Sequence, residues 1–111
     1  MRIQDEILKN TPGFIALCKS HKVRHLYAFG SSTTDRFNPQ TSDIDLLVEI
    51  DVSDPIERGE KLLSLWDIFE AFFHRKVDLL TESSIRNPYL KRSIDSTKIL
   101  LYDRKGSKVL S

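Results

Sequence analysis

Ser42-Asp43-Ile44-Asp45-Leu46-Leu47-Val48-Glu49-Ile50 is the stretch whose alternation decides the fold. Ile44, Leu46, Val48 and Ile50 fall on one side of an extended chain, and Asp43, Asp45, Leu47 and Glu49 fall on the other. Period-two alternation predicts a strand over 43–50, anchored by its apolar face. Residues two apart on a strand point the same way, so Asp43 and Asp45 share a face with roughly 7 Å between them. Two like charges so placed repel. Without a cation at least one carboxyl should have a raised pKa, whereas a pair of divalent ions with a taste for hard oxygen donors removes the penalty. Taken alone, the pair also suits a solvated sheet edge or salt bridges to some of the 17 Lys and Arg residues.

Working outward from that strand, Val23 to Phe29 is rich in β-branched and aromatic residues and stops at Gly30, a strand running into a glycine turn. From Gly30 to Ser42 the chain is almost wholly polar, with Phe37 its one large apolar residue, and reads as a loop. Downstream, Asp54 supplies a cap, Pro55 a first helical position and Glu57 the capping-box acid of a helix running to about Phe73. Its Leu62, Leu65, Trp66, Phe69, Phe72 and Phe73 recur at three and four, a stripe suited to covering a sheet. The aromatic members of that stripe read as core, with partner docking as the alternative use. Lys76 to Thr81 forms a short strand, Asn87-Pro88 opens a helix through Leu90 and Ile94, and Lys98 to Tyr102 forms a last strand. Before all these, Met1 to Leu8 carries Ile3, Ile7 and Leu8 at helical spacing. Thr11, as cap, and Pro12 then open a second short helix that ends near His21. The order is α-α-β-loop-β-α-β-α-β.

With 111 residues the expectation is one domain spanning 1–111. A hydrophobic fraction of 40% with 30% charged residues is the balance of a folded chain rather than a disordered one. The net charge of +1 gives no global field that would indicate nucleic acid or an anionic membrane as partner. No apolar run is long enough to span a bilayer and the N-terminus, with Arg2, Asp5 and Glu6, lacks a signal-peptide core, so a cytoplasmic protein is expected. The lone Cys18 lies among Ile15, Ala16 and Leu17 and reads as reduced core packing. His21, His25 and His74 have no metal-site spacing.

Upstream of the acidic pair, Gly30 has no β-carbon to keep backbone amides from a phosphate, and the Ser31 hydroxyl adds a hydrogen bond. Phe29-Gly30-Ser31, the polar loop, Asp43-Ile44-Asp45 and a later strand acid, Asp78 in Lys76-Val77-Asp78-Leu79-Leu80, together resemble the nucleotidyltransferases of the DNA polymerase β superfamily, and in particular its minimal, single-domain members. The spacer Ser32 to Ser42 is one residue longer than the usual one. The insertion leaves open whether Ser31 or Ser32 meets the phosphate, Ser31 being favoured because it follows Gly30 directly.

The resemblance implies a mixed α/β (α+β) nucleotidyltransferase fold, with a small sheet of about four strands packed by helices. It implies that Asp43, Asp45 and Asp78 are catalytic and hold two Mg²⁺ ions, and that Gly30, Ser31 and Ser32 bind nucleotide. The activity it implies is transfer of a nucleoside monophosphate, AMP from ATP being favoured, to a hydroxyl acceptor. Minimal members often pair with a HEPN-domain protein, as antitoxin to a HEPN toxin, which makes such a protein the expected partner and acceptor. The competing expectation is a non-catalytic module that neutralises a HEPN partner sterically; three retained carboxylates favour the enzyme.

Overall fold

The computed structural model describes residues 3–30, 43–104 and 108–109. The helices are α1 (Ile3–Leu8), α2 (Thr11–Ser20), α3 (Pro55–Phe73) and α4 (Pro88–Thr97); the strands are β1 (Val23–Phe29), β2 (Ile44–Ile50), β3 (Val77–Leu80), β4 (Ile99–Asp103) and β5 (Lys108–Val109), with a 3₁₀ turn at Glu82–Ser84. The four expected strands form a mixed sheet, and the two-residue β5 extends one edge, giving the order β3-β2-β1-β4-β5. β1 is antiparallel to both β2 and β4, while β2 and β3 are parallel. Parallel pairing needs a long crossover, and the 19-residue α3 supplies it.

The alternation of β2 divides the molecule into two layers. Ile44, Leu46, Val48 and Ile50 are all buried in the main core beneath α1, α2 and α3. There the stripe of α3 places Leu65, Phe69 and Phe73 against the sheet, and Phe14 of α2 stacks on Phe69 with ring centroids 5.9 Å apart. Trp66 and Phe72 are partly buried against the same core, so the aromatic stripe is packing rather than a free docking face. Cys18 is fully buried there, and burial pushes its thiol up to about 12. On the other side of the sheet, Phe29, Leu47 and Ile94 form a smaller cluster flanked by Tyr27, Leu80 and Ile85. On the acidic face of β2, Leu47 is therefore covered by Ile94 of α4, while Asp45 before it and Glu49 after it keep partial access to solvent.

Asp54 and Asn87 cap α3 and α4 as expected, accepting from the amides of Ile56 at 3.3 Å and Tyr89 at 2.9 Å. The cap of α2 differs. Asn10, not Thr11, occupies the position, its Oδ1 accepting from Gly13 N at 3.1 Å while Thr11 begins the helix. A carboxamide reaches the amide of the third helical residue as well as a hydroxyl does, and placing it one residue earlier keeps Pro12 in the first turn, where its missing N–H is harmless. At the end of the sheet remote from Gly30, Asp51 is bonded by both Arg24, at 2.8 Å, and Arg104, which ties the ends of β1, β2 and β4 together.

Candidate active site

β1 ends and β2 begins at the same end of the sheet, because the two strands are antiparallel with Phe29 opposite Asp45. β3 lies on the other side of β2 and, being parallel, sets Asp78 directly beside Asp45. Strand pairing alone therefore lines up Gly30, Asp45 and Asp78 across three neighbouring strands. Asp43 sits one residue before β2, exposed, and Asp78 is exposed between buried Val77 and Leu79, as alternation requires.

Asp45 is the centre of this row and only partly accessible. Burial, then the charges of Asp78 and Asp43, push its carboxyl up to about 6. The acid crowding anticipated from Asp-x-Asp is thus present and falls on the middle residue. A divalent cation would relieve it, and the donors are hard carboxylate oxygens of the kind Mg²⁺ accepts. Among the described residues no three His, Cys, Asp or Glu side chains already form a closed coordinating cluster. The acids thus fit such an ion by donor type, by register and by their mutual repulsion, rather than as a ready-made cage.

Gly30 contributes by shape. Its φ of 65° lies in the left-handed region, which costs an L-residue with a side chain roughly 1 kcal/mol or more. A β-carbon there would stand 3.0 Å from Oδ2 of Asp45. The turn thus lies tightly against the central carboxylate. The Gly30 amide is not free to meet a phosphate, because it donates to Oγ1 of Thr97 at 3.1 Å. Ser31 and Ser32, the serines expected to contact nucleotide, lie outside the described residues. Thr97 had no signal in the sequence: as the last residue of an exposed-looking helix, its meeting with Gly30 depends on a contact across 67 positions. Two of the histidines are engaged with residues other than the three aspartates, His25 pairing with Glu49 at 2.9 Å and His21 with Ser64 at 3.0 Å.

A hollow of about 510 Å³ lies elsewhere, at the far end of β2, bordered by Glu49, Arg58, Leu62, Thr81 and Glu82. Chemistry rather than volume marks the site, since the acids and the glycine turn are at the opposite end of that strand.

A family model described as a nucleotidyltransferase domain matches residues 15–101, which takes in every strand from β1 to most of β4 and all three acids. The chain belongs to the nucleotidyltransferase family. Two proteins of Methanocaldococcus jannaschii, provisionally named protein adenylyltransferases, are each 39% identical to this nucleotidyltransferase over 85 residues, which is 77% of this chain and 83% of theirs. Its fold is similar to that of a protein of known structure provisionally named a minimal nucleotidyltransferase, with TM-score 0.61 at 22% identity over 89% of this chain and 95% of the other. It is also similar to a chain in a toxin-antitoxin crystal structure with AMP-PNP, with TM-score 0.61 at 24% identity over 88% of this chain and 77% of that one. A third similar fold occurs in a tri-AMPylated Shewanella oneidensis HEPN toxin in complex with its MNT antitoxin, with TM-score 0.53 at 24% identity, covering 89% and 74%. Among the described residues no helix is long and apolar enough to cross a membrane.

Proposed function

We propose that this nucleotidyltransferase moves AMP from ATP to a hydroxyl of a HEPN-type protein partner, and that the whole chain acts as one cytoplasmic domain. The observation that carries the reading is the row Gly30–Asp45–Asp78, with the raised carboxyl of Asp45 at its centre. Asp43, Asp45 and Asp78 would hold two Mg²⁺ ions, whose chemistry in such sites is to stabilise the entering and leaving oxygens of an in-line displacement. The left-handed turn at Gly30, with Ser31 and Ser32, would hold the β- and γ-phosphates and so aim the α-phosphorus at the acceptor. The acceptor oxygen forms a bond to that phosphorus as the bond to the bridging oxygen breaks, pyrophosphate departs, and the carboxylate of Asp78 takes the acceptor's proton. Positioning of this kind supplies much of the barrier lowering in transfer reactions. Support for a protein acceptor comes from relatives named protein adenylyltransferases. Support for a HEPN acceptor comes from the similarly folded chain in a complex of an MNT antitoxin with a tri-AMPylated HEPN toxin.

The test is intact-mass analysis of the protein incubated with Mg²⁺ and each nucleoside triphosphate, alone and with a HEPN protein encoded beside it. The expected result is AMP added to the partner, absent with Asp45→Asn. A tight complex that gains no mass with any nucleotide would instead make this a sterically acting module.

A further inference from the structure

We infer that Thr97, at the C-terminal end of α4, is a positioning residue for the nucleotide-binding turn; this rests on the reading of the Gly30 turn as the phosphate grip. Gly30 donates its N–H to Thr97 Oγ1 at 3.1 Å. The same hydroxyl donates to the carbonyl of Ser93, one helical turn earlier, at 2.8 Å. The proton of Thr97 is therefore engaged within α4, which fixes the hydroxyl rotor and leaves its lone pairs for Gly30. A chain of two hydrogen bonds, each polarising the next, runs from the backbone of α4 to the glycine.

What this bond fixes is more than a loop end. Gly30 has a left-handed backbone and lies against Oδ2 of Asp45 so closely that a β-carbon would stand 3.0 Å from that oxygen. A rotation of the turn would change where the following residues leave β1 and alter the separation between the phosphate grip and the central carboxylate. α4 is itself held to the sheet by Ile94, which packs with Phe29 and Leu47, the neighbours of Gly30 and Asp45 along their strands. Thr97 thus references the phosphate-binding turn to the same helix that packs beside the acids. In this arrangement Gly30 serves the nucleotide through its conformation, not through its own amide.

Thr97→Val keeps nearly the same shape without the acceptor; Thr97→Ser keeps the acceptor and loses a methyl. Two readouts are taken on both variants and the wild type: affinity for ATP with Mg²⁺ by calorimetry, and hydrogen exchange of the Gly30 amide by NMR. A hydrogen bond of ordinary net strength corresponds to about a five- to tenfold change. The expected result is a loss of that size in nucleotide affinity and faster Gly30 exchange in Thr97→Val, both restored in Thr97→Ser, with all three proteins melting within a few degrees of one another. Equal binding by wild type and Thr97→Val overturns the inference while leaving the phosphate-grip reading intact. Equal weakening in both variants overturns it too, since packing and not the hydroxyl would then be responsible. A wild type that binds no nucleotide removes the phosphate grip itself and this inference with it.

Discussion

Gly30 and Asp45 lie in close contact: a β-carbon on the glycine would stand 3.0 Å from Oδ2 of the aspartate, so the carboxylate would have to give way by a few tenths of an ångström to admit one. The two residues come from adjacent strands, Phe29 being the register partner of Asp45. The backbone of Gly30 is also left-handed, at φ 65°. Two separate penalties therefore attach to any substitution, and they are separable by experiment. Gly30→Ala should meet both and lose on the order of 1–2 kcal/mol in urea unfolding. Asn tolerates the left-handed region better than Ala does, so Gly30→Asn should recover part of that stability. Both variants should fail to bind Mg²⁺·ATP, because both carry the β-carbon. Nucleotide binding by Gly30→Asn at wild-type strength would show that backbone conformation alone is what the site requires.

Asp45 trades stability for function, and the sign of its pH dependence follows from its shift. Its carboxyl ionises at about 6 in the folded protein against 3.8 ordinarily, raised by burial and by Asp78 and Asp43. Between those values the native state holds a proton that the unfolded state has lost, so this group's contribution to stability falls as pH rises from about 4 to about 6. At 1.36 kcal/mol per pH unit the full difference is about 3 kcal/mol. Partial exposure and solvent screening bring it to on the order of 1–2 kcal/mol. Without divalent cation, Asp45→Asn should therefore melt higher than wild type at pH 7.5, and at the same temperature near pH 3.5. Mg²⁺ with ATP should raise the melting temperature of wild type and not of the variant. A variant less stable than wild type at pH 7.5 would contradict the crowding described for this site.

The acids were legible in the sequence because strand geometry is regular. Alternation placed Asp43 and Asp45 on one face, and the flanking Val77 and Leu79 turned Asp78 outward. The helix caps at Asp54 and Asn87 were equally local, each a short side chain followed by proline. The remainder depended on contacts distant in sequence. Leu47 lies on the acidic side of β2, and its burial required knowing that Ile94 of α4 lies over it. Thr97 is another such case, as nothing near it in the chain announces Gly30. The Asn10 cap was missed for the opposite reason, since Asn10 and Thr11 are both good caps and neighbours, and local preference alone does not choose between them.

Cys18 should be chemically silent in the folded protein. It is fully buried in the main core, and burial holds its thiol near 12. The thiolate is the reactive form, and neither its formation nor access to it is favoured there. Labelling by a thiol-specific disulfide reagent at pH 8 should proceed at the rate of global or local opening, rising by orders of magnitude in denaturant. Rapid stoichiometric labelling of native protein would mean that α2 leaves the core readily.

The last prediction concerns how the third acid is held. β3 is an edge strand, lying outermost in the sheet beside β2. An edge with unpaired backbone groups is both unstable and prone to pairing with other chains. At Val77, next to Asp78, side chains of α3 bond the backbone: Glu70 Oε2 accepts from Val77 N at 2.9 Å, and Trp66 Nε1 donates to Val77 O at 2.7 Å. Trp66 and Glu70 are four apart on α3 and so lie on one face of the helix. Trp66→Phe keeps most of the packing and removes the donor, leaving the partly buried carbonyl of Val77 without it, at a cost of about 1–3 kcal/mol. Glu70→Ala exposes the amide in the same way. Each variant should speed exchange of the Val77 and Asp78 amides in native-state hydrogen exchange while leaving β1 and β4 protected. Nucleotide affinity should fall as Asp78 loses its fixed place beside Asp45, and the double variant should show a coupling energy between the two sites, because they act on one residue. If Trp66→Phe left β3 exchange unchanged, α3 would hold the strand by apolar packing alone, and the placement of Asp78 would rest on its pairing with β2.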